Sequence, residues 1–193
     1  MSMDILLEKV KNCTRCAQFL PFDPRPVLTA SKEARLLIIG QAPGTRVQES
    51  GIPWNDKSGE RLRDWLAISE QVFYDQNKVA LMPMGFCYPG VNQKGGDLPP
   101  RPECAPLWHD LLLAQMPQIK LTLLVGQYAQ KHYLGPQRDK TLTETVRNFS
   151  RYQPRLVPLP HPSWRTIGWQ KKNPWFEHEL LPPLRQMISE LLD

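Results

Sequence analysis

Residues 35–40 read Arg-Leu-Leu-Ile-Ile-Gly. The aliphatic run is too short for a helix and has no polar alternation that would leave one face wet. It reads as a strand buried on both faces that feeds a tight loop at Gly40. Comparable runs occur at 79–84, 120–125 and 155–159. Helical patterns lie between and after them, at 58–66, 104–116, 126–134, 141–149 and 175–192. In the first of these, Leu62, Trp65 and Leu66 fall at i, i+3 and i+4 behind Ser58 as N-cap; in the last, Pro182 and Pro183 predict a kink. Strands alternating with helices require a parallel sheet covered on both faces. The expected fold is therefore α/β, a three-layer α/β/α sandwich around a central, mostly parallel four-stranded sheet, with residues 1–193 forming one domain. In such sheets ligands bind beyond the carboxyl ends of the strands.

The chain has 193 residues, of which 41% are hydrophobic, enough for a true core. A net charge of +5 is compatible with a polyanion partner such as nucleic acid but does not single one out. No charged segment followed by an apolar stretch opens the sequence, residues 1–10 read as a short amphipathic helix, and the apolar runs are too short for a bilayer. A soluble, cytoplasmic monomer with no membrane contact is expected. In a reducing compartment the four cysteines are not read as disulfides. Cys13 and Cys16 form a C-x2-C turn, and Cys87 and Cys104 flank a long Gly/Pro loop. They are either ordinary buried thiols or ligands to one metal centre, with zinc and iron–sulfur equally open.

Three of the four strands end in loops of unusual composition. Gly40-Gln41-Ala42-Pro43-Gly44 follows the first strand, with little side-chain bulk to keep a ligand from the backbone. Next, in the segment 52–59, Pro53 braces Trp54, an aromatic able to stack on a base, and Asn55, Asp56 and Ser58 follow it. After the last strand comes Pro160-His161-Pro162-Ser163, where His161 can serve a developing negative charge.

Taken in order, these elements resemble the uracil-DNA glycosylase superfamily: a strand ending in G-[EQ]-A-P-G, then G-x-P-[FW]-x3-[AS]-G-x2-L, then H-P-S. The Cys13-Thr-Arg-Cys16 turn and the Pro89-Gly-Val-Asn92 loop are similar to its iron–sulfur branch, the family-four enzymes. The resemblance runs from about residue 6 to residue 192. It implies DNA as partner, a structural four-iron four-sulfur cluster on Cys13, Cys16, Cys87 and Cys104, and removal of a flipped, deaminated base such as uracil. Trp54 would stack on that base, with Gly40, Ala42, Pro43, Gly44 and Asn55 around it. Gln41 and its loop would position a water, and His161 would hydrogen-bond the leaving anion. Ser58, Ser163, Arg165 and the turn at Gly126-Gln127 would hold phosphates, with Lys171 and Lys172 adding charge.

Two positions depart from the family's pattern. Gln41 stands where the family-four enzymes have a glutamate, and an amide cannot act as a general base. Pro83 stands where the family reads uracil with an asparagine. Asn55 and Asn92 are candidate replacements for the reader. Asp56 is a candidate replacement carboxylate, or equally a charge at a helix N-terminus. Three functions follow: an active glycosylase of altered base preference, a DNA- or damaged-base-binding protein without turnover, and a nucleotide-binding or storage module on the same scaffold. His109, His132 and His178 are expected to be surface or packing residues, Trp65 and Trp108 core, and Arg61, Arg63 and Asp64 a solvated helix face. Trp164 either packs or probes a groove.

Overall fold

A computed structural model describes residues 2–193. The elements run α1 (Met3–Lys11), β1 (Leu36–Ile39), α2 (Thr45–Ser50), α3 (Lys57–Leu66), α4 (Glu70–Phe73), β2 (Val79–Leu81), α5 (Cys104–Leu113), β3 (Leu121–Val125), α6 (Gln127–Leu134), α7 (Leu142–Arg147), β4 (Leu156–Leu159), α8 (Thr166–Lys172) and α9 (Leu181–Leu192). The four strands are ordered β2-β1-β3-β4 and every pairing is parallel. The expected three-layer α/β/α sandwich is borne out.

Side-chain alternation divides the sheet between two cores. Leu36, Ile38, Leu81, Leu123 and Leu159 face one layer, where they meet Leu62 and Trp65 of α3 and Leu184 and Ile188 of α9. Leu37, Ile39, Ala80 and Leu124 face the other, against Leu6 and Val10 of α1, Leu112 of α5 and Ala129 of α6. Covering both faces is what allows strands with no polar side, as the unbroken run Leu36–Ile39 announced. Thr29 pairs antiparallel with Leu81 along the β2 edge and shields it.

Several local expectations shift. Asp56, one residue ahead of Lys57, N-caps α3 in place of Ser58, its Oδ1 accepting from the Gly59 N–H at 2.8 Å. β2 stops at Leu81, two residues before Pro83, which has no N–H for a ladder. The expected kinked C-terminal helix is two elements: a π-helical turn at Phe176–Leu180, then α9 with its prolines in the first turn, where a missing N–H costs nothing. α2, α4 and α8 were not anticipated; they are short and lie beside the motif loops or between them. No helix among the described residues is long and apolar enough to cross a membrane.

The strand order reverses between β2-β1 and β1-β3, so a crevice opens where the chain leaves β1 and β3 in opposite directions. The loops after β1 and β4 flank the turn after β3, and all three meet at this end of the sheet.

Candidate active site

Gly40 leaves β1 and lets Trp54 lie flat on the backbone: a Cβ there would sit 2.6 Å from the indole Cζ2. Gly59, in the first turn of α3, is required for the same reason, because a Cβ there would run into the Trp54 carbonyl oxygen. Trp54 itself has φ of 58°, the left-handed region that a bulky residue avoids unless its surroundings impose it. Two glycines and a strained backbone thus aim one indole ring. It stacks on His161, with ring centroids 5.8 Å apart and planes 26° from parallel.

His161 follows β4. Its carbonyl accepts from the Ser163 N–H at 2.8 Å and from the Thr166 hydroxyl, which pins the loop to the start of α8. The ring makes no hydrogen bond among the described residues, and His161 lines a pocket beyond the strand ends. Burial lowers its pKa against the opposing pull of Asp56 and Asp97. The imidazole is therefore neutral at neutral pH, with one nitrogen to donate and one to accept.

Around this pair lie Gly40, Gln41, Ala42, Pro43, Gly44, Pro53, Asp56 and Pro83, which with Val27 and Val47 line a small inner pocket. Gln41, Ala42, Gly44, Asp56 and His161 also line a wide outer cleft, so the pocket opens into it. The cleft is lined by Ser58 and Arg61 from α3, by Ser163, Trp164 and Arg165, and by Asn92, Lys94 and Asp97. Trp164 is 71% exposed, with the Arg165 guanidinium 4.9 Å from its ring centroid.

Most of the residues singled out in the sequence come together here, and some do not. Asn55 is exposed and lines neither pocket nor cleft. Asn92 reaches the cleft, but its Oδ1 already accepts from the Lys94 and Gly96 N–H groups at 2.8 and 3.2 Å. Gly126, with φ of 90°, lies beside His161, and a Cβ there would stand 3.6 Å from the histidine Cβ. Gln127 opens α6 without lining the cleft, and Lys171 and Lys172 close α8 away from it.

Three cleft residues escaped the sequence reading. Arg61, expected on a solvated face, donates from Nη1 to the Ser163 carbonyl at 2.6 Å and the Pro162 carbonyl at 3.4 Å, holding the His-Pro-Ser loop. Its spacing of three from Ser58 on one helix was the available signal. Lys94 and Asp97 arrive through a hairpin in the Gly/Pro loop: Val91 bridges Asp97, and Gly95, with φ of 74°, turns the chain. The Gly95-Gly96 pair marks that turn in the sequence.

The metal expectation is corrected. Cys13, Cys16, Cys87 and Cys104 do line one small apolar pocket. Yet among the described residues no group of three or more His, Cys, Asp or Glu side chains is arranged to hold a metal ion, and all four cysteines are free thiols. Burial pushes Cys87 up to about 11 and Cys104 up to about 12. The Cys104 sulfur accepts from the Phe86 N–H at 3.3 Å, and Cys16 points at the Glu103 carboxylate, 4.0 Å away. Neither the four-iron four-sulfur cluster nor zinc has a ligand set here, and the likeness to the iron–sulfur branch loses its main support. The C-x2-C spacing brought thiols into proximity; it did not determine the directions of their sulfur atoms.

A family model described as the uracil DNA glycosylase superfamily matches residues 27–185. The chain belongs to the uracil-DNA glycosylase superfamily. The matched span begins after the Cys13–Cys16 turn and contains the whole of the Trp54–His161 site. Superfamily membership thus coincides with the crevice at the strand ends and owes nothing to the N-terminal cysteines.

Proposed function

We propose that this chain is a DNA glycosylase that draws a deaminated base, such as uracil, from DNA into the inner pocket and hydrolyses its N-glycosidic bond. One observation carries this reading: a strained tryptophan stacked on a neutral histidine that has no other partner, in a pocket opening onto a cleft with cationic walls. A base stacked on Trp54 brings its polar edge to His161. As the glycosidic bond breaks, negative charge gathers on the base, and a neutral imidazole N–H stabilises it without a proton having to leave. Ser58, Lys94, Ser163 and Arg165, which line the cleft, supply donors and charge for the phosphates either side of the flipped nucleotide.

A second reading, binding of a damaged base without turnover, has its own observation. Gln41 has no carboxylate, and Pro83, on the pocket wall, has no side-chain donor or acceptor to read a base edge. The deciding experiment offers the protein single strands and duplexes containing uracil, hypoxanthine or xanthine, and follows both abasic product and complex formation at low salt. Abasic product from any of them supports the glycosylase. Lesion-selective binding with no product supports the second reading, and absence of both overturns the two together.

A further inference from the structure

The glycosylase reading leaves the site without the acid expected at position 41. The structure offers another in a different segment. The hairpin between Val91 and Asp97 is closed by the Asn92 N–H donating to the Gly96 carbonyl at 2.8 Å and the Leu98 N–H donating to the Gly90 carbonyl at 2.9 Å. Its end lines the outer cleft together with the His161 loop. The hairpin is tied to the strand ends by one side chain: the Gln41 amide donates from Nε2 to the Leu98 carbonyl at 3.3 Å. A glutamate could not make that bond, because an ionised carboxylate only accepts. Gln41 is therefore a donor in use, and the residue it holds by the backbone adjoins Asp97.

We propose that Asp97 is the working carboxylate of this site and that Gln41 is a positioning residue that latches the hairpin carrying it. The inference rests on the glycosylase reading. In the step it assigns, a water oxygen bonds to the sugar carbon while the carbon–nitrogen bond breaks and its electron pair stays on the base. Asp97 takes one water proton and returns it to the base anion, which leaves neutral, and the sugar keeps the hydroxyl. Before the water attacks, the Asp97 charge also opposes the positive charge gathering on the sugar.

Asp97 and Asp56 are the two carboxylates whose charge His161 feels, and both act to raise its pKa against burial. Asp56 is occupied by the Gly59 N–H as the cap of α3. Arg61 is turned toward the carbonyls of residues 162 and 163, and Lys57, Lys94 and Arg165 are cleft-wall cations.

Two readouts test this. In an NMR titration of the His161 ring, Asp97→Asn is expected to lower the midpoint, and Gln41→Ala to lower it in the same direction by freeing the hairpin. In base release, Asp97→Asn is expected to lose about 100-fold or more, and Gln41→Glu to lose activity, since its carboxylate would face the Leu98 carbonyl. An unmoved His161 midpoint in Asp97→Asn overturns the placement whether or not the protein turns over. Full release by Asp97→Asn, or a gain by Gln41→Glu, overturns the role while leaving the glycosylase standing. If the parent protein releases no base, the glycosylase reading and the proton transfer fall together, and the titration still decides whether Asp97 faces His161.

Discussion

His161 and His109 sit in opposite circumstances although burial lowers the pKa of both. His109, on α5, is 1% exposed and both ring nitrogens are taken: Nε2 lies 3.1 Å from the Pro83 carbonyl and Nδ1 lies 2.6 Å from the Tyr133 hydroxyl of α6. A carbonyl only accepts, so Nε2 carries the proton and Tyr133 donates to Nδ1. Burial pushes the Tyr133 hydroxyl up, which keeps it a donor, and holds His109 down to about 4. Phe86 stacks on the ring at 5.6 Å. This is a closed network that ties two helices to the backbone behind the inner pocket. His161 has its backbone pinned and its ring unengaged. Burial alone therefore does not distinguish a working histidine from a structural one; the ring nitrogens left over do.

Substitution at the two rings should separate these roles. The largest effect is expected from His161→Ala, which removes the donor to the leaving base: single-turnover base release should fall about 10²–10³-fold, with the urea midpoint little changed. Equal losses of stability and release would erase the distinction. Acid is the next probe. Unfolded histidine titrates near 6.5 and folded His109 near 4, so the unfolded chain takes up the proton first. His109 contributes stability that is fully present above pH 6.5 and drains away as pH falls toward 4, on the order of 3 kcal/mol. Urea unfolding across that window should show the loss, and His109→Gln should flatten it. A smaller effect belongs to Tyr133→Phe, which leaves His109 Nδ1 without its donor: unfolding free energy should drop by about 1–2 kcal/mol, while base release by the folded protein persists. The smallest is expected in the cleft. Arg61→Lys keeps the charge but cannot hold two carbonyls with one planar fork, so DNA affinity should weaken by about 1 kcal/mol, roughly fivefold in Kd. Fluorescence anisotropy would detect it.

The contrast also explains what was legible in the sequence. Apolar runs such as Leu36–Ile39 state their environment directly, because a strand without a polar face must be covered on both sides; the sheet followed from that. Gly40 and His161 were legible because they directly follow strands, whose ends converge in this fold, and Trp54 because Pro53 braces an aromatic in the loop ahead of α3. Arg61 and His109 were misjudged or underrated because helix periodicity assigns a face, not what lies across from it. Arg61 meets a loop about 100 residues away, and His109 meets Tyr133 and Pro83 through tertiary packing. The cysteines failed for a related reason: spacing brings thiols near one another but does not arrange three of them around a metal ion. Asp97 was hidden by a hairpin inside a segment that otherwise reads as Gly/Pro loop.

The glycines at 40 and 59 have a consequence for how this site can change. They are fitted to different parts of one residue whose backbone is itself under strain: Gly40 to the indole ring of Trp54, Gly59 to its carbonyl oxygen. Substitutions at 40 and 54 should therefore be strongly non-additive, and those at 59 and 54 closer to additive. Once the Trp54 ring is lost, an alanine at 40 becomes far less harmful, whereas one at 59 still meets the residue-54 carbonyl oxygen. The site is thus guarded by epistasis on one side: a lineage that gives up the tryptophan drifts readily away from Gly40 while Gly59 stays fixed, and the way back then requires two coordinated changes.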